Sequence, residues 1–423
     1  MQFALFLKIS ITYCFFMSFI QLKAPEFYQQ YLKKHDIARY FFSYINKLLV
    51  KILAIFAHRG YKYAEYAYAH YLISRSETVT DIITAANWLE KSAVKGIAAA
   101  AYKLVVIMEQ FDYSFLKQNN FDDFSNKITG FIIAAAEAGY SRAQYKLAMY
   151  YWSGKYNLPQ DPALSHDWFT LAARKLFAKA FCNLGVMYNR GDLGEKDSAK
   201  AYSYFMAADA LGDNIAPCNL AQMYRHGEYV PKNLQISFKY FKQSALIGSV
   251  EGMYELARCY EKGLGTEKDI KEAFYWYSRA VNFGSVAAKL KLADFYIYGN
   301  HVKANPIKAE YLLKSVAEHG DAHAQFKLGL FYDSTTSNLQ SYQKAYEWYL
   351  KSAKQGYTKS QINLAALFLK GEGVSQSDES AKFWLELASQ SGDQVAKYNL
   401  KQFKFAKLEE FVEQNLGTSR ILH

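Results

Sequence analysis

The chain has 423 residues, 17% of them aromatic, with six prolines and a formal net charge of +11. A globular protein of this length ordinarily divides into two or three domains, whereas apolar content this high without low-complexity runs excludes disorder beyond the ends. Residues 1–60 hold eight Lys and Arg against two acids and so supply +6 of the charge; the rest is mildly basic, which gives nucleic acid little support as a partner.

Residues 1–24 begin with the apolar run MQFALFLKISITYCFFMSFIQL. Three readings stand open: an export signal with Lys8 as its basic end, a membrane anchor of the roughly 20 apolar residues that span a bilayer, or an extra helix packed on the rest of the chain. Pro25 spoils cleavage after Ala24, and Lys23, Lys33, Lys34 and Arg39 would hold the following flank inside the cell. A membrane-associated or exported protein is placed ahead of a cytoplasmic one. Residues 25–60 are expected to form a degenerate first repeat, with Ile37, Phe41, Tyr44, Leu48, Ile52 and Ile55 at helical spacing. Arg39, Lys47 and Lys51 lie elsewhere on that helix, and membrane association through residues 1–60 would use them against anionic lipid.

From residue 61 the chain repeats itself. Gly212, Gly248, Gly284, Gly320, Gly356 and Gly392 recur every 36 residues, a period that marks a stacked array. Positions are counted from the closing residue of the preceding repeat. Position 4 is small (Ala100, Ala143, Ala180, Ala216, Gly252, Ala288, Ala324, Ser360), and position 8 is leucine in the eight repeats from Leu104 to Leu364. Position 12 is aromatic from Tyr151 to Phe368. Spacings of four place these on one face of a first helix, and a glycine at position 15, from Gly154 to Gly371, suits its left-handed end. Thr335 breaks that column and predicts an atypical connection, because β-branched residues resist positive φ.

A second helix is expected from position 21, where Asp81, Asp197, Asn233, Asp269, Asn305, Ser341 and Ser377 suit an N-cap. Pro162 and Pro306 follow Asp161 and Asn305 at the first-turn position, where a missing N–H costs nothing. An alanine column at position 25 and bulky residues at 28 and 29, among them Trp88, Phe205, Phe241, Tyr277 and Trp348, would interlock neighbouring hairpins. A single hairpin buries too little to stand alone, so each needs its neighbours.

Three irregularities stand out along the array. The repeat from Ile97 to Gly139 has 43 residues, the excess lying near Gln110–Asn126 with Phe111, Tyr113, Phe115, Phe121 and Phe124 in it. That segment either grips a partner or covers adjacent repeats. The next repeat closes on Leu176 in place of glycine, where a bend or shift is expected because leucine resists positive φ. Residues 393–423 begin a further first helix (Ala396, Leu400) and then depart from the pattern, with Leu408, Phe411, Val412 and Leu416 suited to a closing helix.

The pattern small-x-x-x-Leu-Gly-x-x-Tyr-x-x-Gly-x-Gly, then Lys-Ala-x-x-Trp-Tyr, resembles the Sel-like repeat, a relative of the tetratricopeptide repeat. It is plainest in Leu184-Gly185-Val186-Met187-Tyr188, in Tyr260 to Gly265 and in Lys344 to Tyr349, and the likeness covers residues 61–392. The resemblance implies an all-α fold, an α/α superhelical solenoid of about ten helix-turn-helix repeats, and a protein or peptide partner. In tetratricopeptide relatives a column of Asn and Lys on the first helices holds extended peptides. Carried over, it picks out position 7 (Lys146, Asn183, Asn219, Glu255, Lys291, Lys327, Asn363), together with Arg225, as candidate contacts on the concave face; an ordinary wet helix face is the alternative.

No phosphate loop, HExxH helix, nucleophile elbow or metal-spaced Cys/His cluster occurs in the sequence, so no catalytic residue, metal site or cofactor is expected. His319 and His323 straddle Gly320 and so fall across a turn. Cys182, Cys218 and Cys259 are expected to be free thiols, because packed helices lie about 8–10 Å apart, beyond disulfide reach. The expected role is a non-enzymatic interaction scaffold; an exported or membrane-tethered cell-envelope factor or hydrolase-like enzyme is the alternative.

Overall fold

The computed structural model describes residues 48–110, 124–299, 301–334 and 339–404. Among the described residues it is all-α, a helical-repeat solenoid in two compact units, 1–213 and 214–423. In the first unit α1 (Lys62–Ser74) pairs with α2 (Val79–Val94), α3 (Ala98–Gln110) with α4 (Phe124–Glu137), α5 (Ser141–Ser153) with α6 (Pro162–Ala173), and α7 (Ala178–Arg190) with α8 (Ser198–Ala210). In the second, α9 (Ala216–His226) pairs with α10 (Leu234–Leu246), α11 (Val250–Lys262) with α12 (Ile270–Asn282), and α13 (Val286–Tyr298) with α14 (Pro306–Ala317). Two further pairs complete it, α15 (Ala322–Asp333) with α16 (Tyr342–Lys354), and α17 (Thr358–Lys370) with α18 (Asp378–Gln390). Within each unit every substantial helix–helix contact joins neighbours in sequence.

The small column at position 4 and the leucines at position 8 are buried throughout. The aromatic column at position 12 behaves differently from expectation. Tyr151, Tyr188, Tyr224, Tyr260, Tyr296 and Phe368 are half-buried, and only Tyr332 is enclosed. The buried residue of that turn is at position 11: Tyr150, Met187, Met223, Cys259, Phe295, Phe331 and Leu367. A strict spacing of four drifts off a face whose true period is 3.6, and the step from 8 to 11 restores it. The position-12 rings instead edge the core, Tyr188 stacking on Tyr204 with centroids 5.5 Å apart and Tyr224 on Tyr240 at 5.9 Å.

Second helices bring the alanines of position 25 and the large residues of position 29 (Leu89, Phe205, Phe241, Tyr277, Leu313, Tyr349, Leu385) into the core. Each large side chain contributes about 1.5–3 kcal/mol by burial. Where serine replaces the alanine, its hydroxyl is satisfied: Ser237 Oγ donates to the Ala221 carbonyl at 2.8 Å and Ser165 Oγ to Ala148 at 2.9 Å.

The turn inside each hairpin is fixed by one recurring bond. The N–H of the cap residue donates to the carbonyl of the position-12 aromatic, as in Asp197 to Tyr188 (2.9 Å), Asn233 to Tyr224 (2.8 Å) and Asp269 to Tyr260 (2.9 Å). The cap side chain then accepts from the first turn, Asp161 from the Leu164 N–H and Asn305 from the Lys308 N–H. One cap differs from the sequence reading. Thr78 caps α2 and Asp81 is its third residue, the two completing a capping box.

Leu176 also departs from expectation, since it adopts the left-handed conformation itself (φ 57), 68% exposed, and no change of conformation marks the repeat closure. Such a backbone costs an L-residue about 1–2 kcal/mol. Thr335 lies outside the described residues, but its neighbour Ser334 ends α15 in an extended conformation (φ −74), where α5, α7, α9, α11, α13 and α17 end on left-handed glycine. The expectations for residues 1–24, for Phe111, Tyr113, Phe115 and Phe121, and for the closing helix at Leu408–Leu416 lie outside the described residues. Phe124 belongs to α4, not to a loop, and packs edge-on against Tyr156. Residues 48–58 and 394–404 are helical, with Ala57 and Ala396 buried. No helix among the described residues is long and apolar enough to cross a membrane. Cys182, Cys218 and Cys259 are buried thiols, outside any disulfide.

Candidate functional site

Lys146, Asn183, Glu255, Lys291, Lys327 and Asn363 project from their first helices and meet side chains of the preceding repeat. Lys146 Nζ lies 2.5 Å from Glu109 Oε2, and Lys291 Nζ lies 3.3 Å from Glu261 Oε1. Both carboxylates stand at position 13 of the repeat before. The same pairing recurs with its charges exchanged, Glu255 Oε2 sitting 2.5 Å from Arg225 Nη1. Lys327 reaches Asp294 Oδ1 at 2.5 Å, and the Asn363 amide donates to the Tyr349 hydroxyl at 3.1 Å. In the first unit the Asn183 amide donates to the Tyr145 hydroxyl at 3.2 Å and to Met149 Sδ at 3.1 Å. Asn219 is half-buried on α9.

Tyrosines extend this ladder. The Tyr150 hydroxyl donates to Glu109 at 2.5 Å and the Tyr277 hydroxyl to Glu261 at 2.7 Å. Burial, followed by the Glu109 hydrogen bond, raises the Tyr150 phenol far above its ordinary range, and Tyr277 behaves likewise beside Glu261. Both tyrosines thus serve as hydrogen-bond donors to the carboxylates that receive Lys146 and Lys291.

Arg225 is more committed than a contact residue on an open face would be. It is 12% exposed on its side chain, lies 4.5 Å over the Phe241 ring, and directs Nη2 at Cys259 Sγ at 3.5 Å. Its partner Glu255 is only 3% exposed and also receives Arg258 at 2.6 Å. Two guanidiniums around one carboxylate compensate its burial, and removing either partner would strand a charge. Burial and then the carboxylates of Glu251 and Glu255 push the Cys218 thiol up to about 12, so it is unreactive. The sequence reading picked out Arg225 but missed Glu109 and Glu261, because the position-13 column mixes Glu109, Trp152, Asn189, Arg225, Glu261 and Asp333. The available signal was complementarity of charge some 30 residues apart, not uniformity within one column.

A cleft of about 420 Å³ opens beside the ladder in the second unit. The end of α11 contributes Glu261 and Lys262, its connection to α12 contributes Lys268, and α12 starts at Ile270. Lys291, Asp294 and Phe295 come from α13, and His301 from the segment after it. His319 and His323 do not converge: His319 Nδ1 contacts the Ser315 carbonyl and His323 Nδ1 the Tyr357 hydroxyl. Among the described residues no group of His, Cys, Asp and Glu is arranged to hold a metal.

The Sel1 repeat model matches residues 62–96, 141–175, 178–210, 216–249, 250–282, 286–321, 322–357 and 358–393. The repeat carrying the insertion falls between the first two matches. Among solved structures, a Sel1 repeat protein from Oxalobacter formigenes is 26% identical, over 75% of this chain and 90% of that one, with a TM-score of 0.52. The antigen c5321 of uropathogenic Escherichia coli, which displays an SLR fold, is 24% identical over 85% and 83%, with a TM-score of 0.53. No curated protein matches the sequence. The eight matched segments take in well over half of the sequence, and the chain belongs to the Sel1 repeat family.

Proposed function

We propose that this protein is a non-enzymatic scaffold that holds an extended peptide or a protein segment along its first helices. Sel1 repeat proteins typically serve as scaffolds for protein–protein contact. The observation that supports the finer reading is the ladder itself. Lys146, Asn183, Asn219, Lys291, Lys327 and Asn363 are all half-buried, and hydrogen bonds or ion pairs to another element tie down Lys146, Asn183, Lys291, Lys327 and Asn363. Amides and ammonium groups fixed this way can meet a peptide's carbonyls and carboxylates with little further loss of side-chain entropy.

Replacing Asn183→Ala together with Asn219→Ala tests it. The double variant is expected to keep the helical circular dichroism of the parent and to lose partners captured from cells of the native host. Retention of every partner would overturn the assignment of this face.

A further inference from the structure

The cleft at α11–α13 holds cations that the ladder does not use. Its two carboxylates are both committed, Glu261 to Lys291 and the Tyr277 hydroxyl, Asp294 to Lys327. Lys262 and Lys268 on its rim are exposed, and among the described residues neither has an ion-pair or hydrogen-bond partner. Phe295, which is buried, and Ile270, which is half-buried, also line it. The lining therefore combines two apolar side chains with two positive charges that have no ion-pair partner among the described residues.

The connection that carries His301 has a recurring backbone. Position 17 takes a left-handed conformation at Gly265 (φ 74) and Gly373 (φ 68), and also with a side chain in place at Tyr156 (φ 53), Tyr229 (φ 64) and His301 (φ 62). At Gly265 an added Cβ would collide with the Leu234 carbonyl, and at Gly373 with the backbone of Tyr342, each the first residue of the preceding second helix. The equivalent pair in the next repeat is His301 and Ile270, the first residue of α12. His301 carries a Cβ at the position where one on Gly265 would collide, and both His301 and Ile270 line the cleft.

We propose that the cleft is a socket for a carboxylate with a neighbouring apolar side chain, presented by the bound peptide. Lys262 and Lys268 take the carboxylate, Phe295 and Ile270 the apolar group, and His301 keeps the socket open. The proposal rests on the scaffold reading and adds the chemistry of what is read. A carboxylate can come from a peptide's C-terminus or from an acidic side chain, and three peptide probes separate the two.

The experiment is fluorescence anisotropy on the full chain with three labelled eight-residue peptides. One alternates leucine and aspartate with an amidated end, one alternates leucine and asparagine with a free C-terminal carboxylate, and one alternates leucine and lysine with an amidated end. At least one of the first two is expected to bind tenfold or more tightly than the third; tight binding of the first assigns side-chain carboxylates, of the second the terminus. Lys262→Glu with Lys268→Glu is expected to weaken that binding at least tenfold with an unchanged melting temperature, since both residues are exposed. His301→Gly is expected to weaken it while raising the melting temperature, which general damage to the fold would not do. Equal binding of the three peptides, or no effect of the lysine pair, overturns the socket. Undiminished capture of host partners by the lysine-pair variant counts against the socket alone, whereas capture of none by the parent chain sinks the scaffold reading itself.

Discussion

Gly185 and Gly329 show how little room the hairpin core leaves at one residue. Both occupy position 9, where other repeats carry Ala148, Ala221, Ala257, Ala293 and Ala365. A Cβ at Gly185 would lie 2.6 Å from the Phe205 ring, and one at Gly329 would press on Tyr349. In these two repeats the ring at position 29 lies where a side chain at position 9 would go. Gly185→Ala is expected to destabilise by about 1–3 kcal/mol through overpacking. Gly130, inside α4, has no heavy atom within 4 Å of an added Cβ, and Gly130→Ala should stabilise by about 0.5–1 kcal/mol through helix propensity. Denaturant melts of the two variants check the contrast, and a loss of stability in both would remove the packing explanation. The leucine and small-residue columns were legible in the sequence because one residue type fills them. Position 9 was not, because alanine stands there opposite Phe241 and Tyr277 as glycine does opposite Phe205 and Tyr349, so the placement of the ring and not its type excludes a Cβ.

At the scale of the element, helix starts carry the most recoverable information. Short polar residues at position 21 mark the second helices correctly from Asp197 onward, since a cap acts on backbone within three residues of itself. The miss at α2 is instructive: Asp81 matches the column, but Thr78 three residues earlier offers a capping box, and the helix begins there. Hydrogen bonds from the Lys200 N–H and then the Lys200 side chain hold the Asp197 carboxyl below the ordinary aspartate value of 3.8. A folded value below the unfolded one means that the ionised cap stabilises fully above 3.8, and that this contribution is lost as pH falls through the folded value. Asparagine caps a helix about as well without titrating. The difference in melting temperature between the parent and Asp197→Asn should therefore be constant from pH 5 to 7 and change only in more acidic solution, with the parent losing ground. A difference that changed between pH 5 and 7 would assign the shift to another group.

For the molecule as a whole, what was legible was the architecture, and what was hidden was how the polar face is used. The period, the leucines and the closing glycines are local and repeated, so one repeat predicts the next. The cross-repeat pairs Glu109–Lys146, Arg225–Glu255 and Glu261–Lys291 join residues 37, 30 and 30 apart and swap sign between repeats, which no single column displays. That nearest-neighbour logic has a consequence for stability. The second unit encloses its own core, around Leu256, Tyr277 and Ala288 and around Leu313, Leu328 and Tyr349. In an array whose repeats touch only adjacent ones, stability is close to a sum of repeat and interface contributions. A fragment of residues 214–423 is accordingly expected to keep the helical circular dichroism per residue of the full chain and to unfold cooperatively. Leu256 is buried among α9–α12 neighbours that the fragment retains. Leu256→Ala should cost about 2–5 kcal/mol in either context, and the two costs should agree within about 0.5 kcal/mol, as for sites with no shared partners across the cut. Guanidinium melts of four proteins, fragment and full chain with and without the substitution, make the comparison. An unfolded fragment, or a cost that differs well beyond that margin, would mean that stability is distributed globally and that the repeats are not the units that carry it.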